Sequence, residues 1–156
     1  MMLEPLTVPG QAENLTQLLD YVAWAAAGVG LSDGAIYRLS LAVDEIATNI
    51  VQYGYENGSR EGVLTVWADS SPEQLTIYLE DTGMPFDPRQ VPQPDDLDRP
   101  LEERRTGGLG IFLALWGVDD FTYMREGRTN RSIFVMKLDL NPPPTFASDL
   151  QPTGII

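Results

Sequence analysis

Val63-Leu64-Thr65-Val66-Trp67-Ala68, the turn formers Ser70-Ser71-Pro72-Glu73, and Leu75-Thr76-Ile77-Tyr78-Leu79-Glu80 are the stretch from which the fold can be read. Both apolar runs are rich in β-branched and aromatic residues. Leu75, Ile77 and Leu79 alternate with polar neighbours, the period-two pattern of a half-buried strand. The loop between the runs is too short for a crossover, so the two strands pair antiparallel. Upstream, Gly34 to Gln52 carries Leu39, Ala42, Val43, Ile46 and Ile50 at helical spacing, with Ser32 or Asp33 as its cap. Tyr53 to Gly58 reads as its stop. A further helix starts near Ala12, with Leu15, Leu18, Leu19, Val22 and Ala26 on one face, and loosens at Gly28 to Gly30. Leu3 to Val8 reads as a short first strand halted by Pro9-Gly10.

Downstream of the hairpin, Asp81 to Arg105 is a long polar connection containing Pro85, Pro88, Pro92, Pro94 and Pro100. Connections of this length in compact domains usually serve as lids or stay disordered. Gly107-Gly108-Leu109-Gly110 then opens an apolar helix, Ile111 to about Val118. Phe121 to Arg125 and Ser132 to Leu140 predict a last hairpin across Glu126-Gly127-Arg128. Residues 1–140 are therefore expected to form one domain, followed by a Pro-rich, mobile tail over 141–156. The order β-α-α-β-β-loop-α-β-β predicts an α+β two-layer sandwich, a mostly antiparallel sheet with helices on one face.

The 156 residues include 23 acidic and 10 basic side chains, a formal charge of −13. That balance argues against nucleic acid and against an anionic membrane surface, both of which need clustered Lys and Arg. It favours a basic or cation-bridged partner. The chain has no cysteine and no histidine, which removes disulfides, thiol nucleophiles, histidine metal sites and a phosphohistidine. Its one lysine, Lys137, sits in a strand-like run, so there is no Gly-Lys-Ser/Thr phosphate loop. Without a long apolar span or a basic leader, the sequence predicts a soluble, cytoplasmic protein.

Three places could carry chemistry. Glu45 and Asn49 lie four residues apart on the second helix, and so share a face beside its apolar stripe. A carboxylate there can act as a base and an Asn carbonyl can ligate Mg²⁺; the pair is equally compatible with a solvated helix flank. Asp81-Thr82-Gly83 closes an alternating strand, where a carboxylate can accept from an exocyclic amine; it also suits an ordinary strand-ending turn. Arg104-Arg105-Thr106-Gly107-Gly108-Leu109-Gly110 places cations and bare backbone N–H groups at a helix start, as phosphate requires; a Gly hinge has the same composition. In this order the three describe a nucleotide pocket with a metal-and-base wall, an adenine-gripping end and a phosphate lid.

Three boxes in that order resemble the GHKL ATPases of the Bergerat fold, and within them the anti-sigma factor serine/threonine kinases. Leu41-Ala42-Val43-Asp44-Glu45-Ile46-Ala47-Thr48-Asn49-Ile50 is similar to the N box. Glu80-Asp81-Thr82-Gly83-Met84-Pro85-Phe86-Asp87-Pro88 resembles the first glycine box, and Gly107-Gly108-Leu109-Gly110-Ile111-Phe112-Leu113 the second. The likeness spans about residues 5–140. It implies ATP (or ADP) and Mg²⁺ as ligands, with Asn49 on the metal and Glu45 as the catalytic base. It also implies Asp81 on the adenine amino group with Gly83 shaping that wall, Gly107, Gly108 and Gly110 in the phosphate lid, and Arg104 or Arg105 near the γ-phosphate. A STAS-type antagonist as phosphoacceptor, a sigma factor or similar regulator as sequestered partner, and a homodimer follow from the same resemblance. Two departures stand out. Tyr53 occupies the position four after Asn49 where kinase-type members often carry His, and the lid holds Asp95, Asp96, Asp98, Glu102 and Glu103. They favour, as the alternative, a nucleotide-gated binding module without kinase activity.

Overall fold

The computed structural model describes residues 1–90 and 109–139. Strand β1 (Leu6–Pro9) leads through a 3-10 turn (Ala12–Asn14) into α1 (Leu15–Gly28), followed by α2 (Asp33–Asn49). The hairpin β2 (Val63–Ser70) and β3 (Gln74–Asp81) comes next, then α3 (Leu109–Gly117) and the hairpin β4 (Asp120–Glu126) and β5 (Thr129–Lys137). All pairings are antiparallel, in the order β1-β2-β3-β5-β4. The α+β architecture and the chain order are those the sequence predicts. The placement of β5 between β3 and β4, which puts the last strand inside the sheet and β4 at its edge, is not read from the sequence. Arg104, Arg105, Gly107, Gly108, most of the long connection and the tail from 141 onward lie outside the described residues.

Each element forms for a local reason. Leu18, Val22, Ala25 and Ala26 are the buried stripe of α1, and the turn after it needs Gly30 at φ +82°. Ser32 caps α2, its Oγ accepting from the Ala35 N–H at 3.2 Å, and Asp33 complements the helix dipole in the first turn. On the sheet, Leu64, Val66, Ala68, Leu75, Ile77, Leu79, Phe134 and Met136 alternate inward and are buried. They meet Leu39, Ala42, Val43 and Ile46 of α2, the helix that packs against both α1 and α3. Phe121 meets Phe134 edge-on at 5.1 Å across the last hairpin. Truncating a large residue in such a layer costs about 2–5 kcal/mol.

The outer sheet face carries its own cluster. The register partners Trp67 and Tyr78 stack with ring centroids 5.0 Å apart, and the Arg131 guanidinium lies 5.5 Å over the Trp67 ring while its Nε bonds Glu80 at 2.7 Å. Trp67 is thus half-buried, whereas Trp24 and Trp116 are exposed. Among the described residues no helix is long and apolar enough to cross a membrane.

Candidate functional site

Asp81 ends β3 on the core-facing side and is only 5% exposed. Burial pushes its carboxyl above the usual range, opposed by hydrogen bonds from the Asn130 side chain and the Gly83 backbone and by the charge of Arg125. Both bonds fall on one oxygen: Oδ1 accepts from the Gly83 N–H at 2.8 Å and from Asn130 Nδ2 at 2.9 Å. Among the described residues Oδ2 has no hydrogen-bond donor, and Asp81 lines a cleft. Asn130 is the register partner of Asp81 across β5 and is itself buried. Its Nδ2 also reaches the Gly83 carbonyl at 3.1 Å, and its Oδ1 accepts from Tyr123 Oη at 2.6 Å and Arg125 Nη1 at 2.8 Å. Every polar atom of this amide is spoken for, which fixes the orientation of Asp81. Sequence reasoning missed Asn130. The signal was there: Asn130 and Ser132 are polar on the face where Phe134 and Met136 continue as core.

The opposite wall is α2. Asn49 donates from Nδ2 back to the Glu45 carbonyl at 2.6 Å, which leaves its Oδ1 available as an acceptor. Asn49 and Ile50 on one side and Asp81, Asn130 and Ser132 on the other line a single cleft. Pro88, fully buried, fills part of it, and the water-accessible room is about 20 Å³, space for one water molecule. The segment over the cleft is pinned by Arg89, which grips Asp87 through Nε at 3.0 Å and Nη2 at 2.9 Å and donates to the Tyr123 carbonyl at 3.0 Å. This pair holds the Asp87 carboxyl below its usual range.

The residues after α2, read from sequence as a plain stop, do more. Ile50–Gly54 continue the helix as a π turn, closed by the Tyr55 N–H to the Ile50 carbonyl at 2.9 Å. The turn sets Gly54 against Gly83. A Cβ on Gly83 would lie 2.9 Å from the Cα, carbonyl carbon and oxygen of Gly54, and the Met84 N–H bonds the Gly54 carbonyl at 3.2 Å. Gly83 is therefore required by backbone packing between the two walls. Tyr55, 1% exposed, lies between Gly10 and Gly62, where any Cβ would fall within 2.5 Å of its ring. Its hydroxyl accepts from the Thr82 N–H at 2.8 Å and donates to the Val63 carbonyl at 2.8 Å.

Glu45 faces the start of α3. A Cβ on Gly110 would stand 2.1 Å from Glu45 Oε1, so only glycine lets the first turn of α3 rest on this carboxylate. The structure thus brings together Asn49 with Asp81, Glu45 with Gly110, and Gly83 with the helix end. Arg104, Arg105, Gly107 and Gly108 are outside what it describes. No group of three or more acidic side chains that could cage a metal occurs among the described residues. The donor set suits Mg²⁺, which takes one or two protein oxygens and completes its shell with phosphate and water.

Residues 8–136 match the family model for the histidine kinase-like ATPase domain. The serine-protein kinase RsbW of Bacillus cereus is 29% identical over 128 residues, covering 80% of this chain and 79% of that one. RsbW of Staphylococcus aureus is 26% identical over 124 residues, 78% of each chain. The crystal structure of the RsbU and RsbW domains of Rv1364c from Mycobacterium tuberculosis superposes with a TM-score of 0.58 at 14% identity. That alignment covers 86% of this chain and 32% of the other, and is a likeness of fold.

Proposed function

The chain belongs to the histidine kinase-like ATPase domain family, and from that premise we propose that it is an ATP-dependent protein serine/threonine kinase of the anti-sigma-factor type. One observation carries the reading. Asn49 Oδ1 and Asp81 Oδ2, each left over after its partner atom is bonded within the protein, belong to side chains that line the same cleft from opposite walls. Asp81, oriented by Asn130, accepts from the adenine amino group. Asn49 holds Mg²⁺, which when bound neutralises charge on the phosphates. Glu45 takes the proton of a partner's Ser or Thr hydroxyl as that oxygen bonds the γ-phosphorus and ADP leaves with the bridging oxygen. Arg104 or Arg105, with the backbone of Gly107, Gly108 and Gly110, closes over the phosphates. The phosphoacceptor is a STAS-type antagonist, and a sigma factor or comparable regulator is the alternative partner. The net charge of −13 suits basic partner surfaces. The site of action is the cytoplasm.

Transfer of labelled γ-phosphate to a cognate antagonist tests this. Wild type transfers; Glu45→Ala binds Mg-ATP and does not. A second reading, a nucleotide-gated binding module without transfer, is favoured by Tyr53, which is 64% exposed on the π turn where kinase-type relatives often place His. Wild-type transfer lost in Glu45→Ala eliminates it.

A further inference from the structure

We propose that Tyr55 is a positioning residue for the adenine end of the site, holding Asp81 in register through a hydroxyl inserted between two strands. The β2–β3 ladder ends at the pair Thr65 and Glu80, and continuing that register sets Val63 opposite Thr82. In a regular ladder a backbone bond would join these two. Here the Tyr55 hydroxyl stands between them, accepting from the Thr82 N–H and donating to the Val63 carbonyl, each at 2.8 Å. Thr82 Oγ1 lies 3.4 Å from the same oxygen. The phenol thus parts the strand ends just where Asp81 and Gly83 flank Thr82, and it fixes the peptide unit that follows Asp81. The parted end reaches the π turn that follows α2, where Gly83 meets Gly54.

A phenyl ring alone would fill the core equally well, so packing does not explain the hydroxyl. The slot is built for this side chain: a Cβ on Gly62 would come within 2.2 Å of the Tyr55 ring, and one on Gly10 within 2.5 Å. Tyr55 also follows directly on the π turn that carries the Asn49 wall, so one residue ties the position of both walls together.

The inference rests on the proposal that Asp81 accepts from the adenine amino group. The experiment therefore compares ATP with purine riboside triphosphate, which lacks that amine, by calorimetry with Mg²⁺. Wild type, Tyr55→Phe, Gly62→Ala and Asp81→Asn are titrated, with circular dichroism and melting to establish folding. Tyr55→Phe is expected to weaken ATP about five- to tenfold, the worth of one misdirected hydrogen bond. It should leave the analogue unchanged, so that the preference for ATP falls toward that of Asp81→Asn. Gly62→Ala, which displaces the ring, should do the same, and is read instead if Tyr55→Phe does not fold. Parallel weakening of both ligands, or no change in either, with the preference lost in Asp81→Asn, would overturn the positioning role and leave the adenine reading intact. A preference untouched in Asp81→Asn itself would overturn the adenine reading, and the role of Tyr55 with it.

Discussion

Asp81→Asn separates what the carboxylate does for the ligand from what it does for the fold. In the fold its Oδ1 accepts from Gly83 and Asn130, and an amide oxygen can take both bonds. What the amide cannot do is accept through the second position, since an NH₂ there opposes the adenine NH₂. Losing a hydrogen bond to a charged group is worth about 1.5–3 kcal/mol, or roughly a ten- to 150-fold rise in Kd. Stability should move the other way. Burial raises this carboxyl above its ordinary value of 3.8, so the native state holds the proton more tightly than the unfolded chain. The contribution of Asp81 to stability is full below 3.8 and is lost as pH rises through the native value. At pH 7 the variant should therefore melt no lower than wild type, and wild type should gain on it as pH falls toward 4. Melting curves across that range, with nucleotide titrations at pH 7, are the assay. A variant that binds ATP like wild type, or that melts more than about 4 °C lower at neutral pH, roughly 1–2 kcal/mol for a chain of this size, refutes the reasoning.

Gly83→Ala drives a methyl to 2.9 Å from the Gly54 backbone, which cannot yield as a flexible side chain would; a loss of about 1–3 kcal/mol by denaturant unfolding is expected. Gly110→Ala places a methyl 2.1 Å from Glu45 Oε1 and must move the carboxylate, so the rate of labelled-phosphate transfer should fall by about tenfold or more, part of what a positioned base supplies.

The strands and the three helices were legible because each buries one face, and alternation or helical spacing records that face directly: Leu75, Ile77 and Leu79 on β3, and Leu39, Val43 and Ile46 on α2. The Ser32 cap was legible for the same local reason. Strand order was not, because the pairing of β3 with β5 is a long-range choice that a hairpin leaves open. The end of α2 misled for a different reason. Tyr53-Gly54-Tyr55-Glu56-Asn57-Gly58 has the composition of a turn, yet Gly54 is there to meet Gly83, and Tyr55 is buried between Gly62 and Gly10, the second of them distant in sequence. Of the candidate site, Asp81, Asn49 and Glu45 could be picked out by motif and spacing. Asn130, which orients Asp81, is visible only as a polar break in the inward face of β5 once the register is known.

Calorimetric titration of ATP into the folded wild-type chain, with and without Mg²⁺ and repeated on Asn49→Ala, tests the account most directly. It predicts one site per chain that Mg²⁺ strengthens in wild type, with that strengthening absent in Asn49→Ala. Folded wild-type protein that takes up no ATP at millimolar concentration, or an Asn49→Ala variant whose response to Mg²⁺ matches wild type, would contradict it.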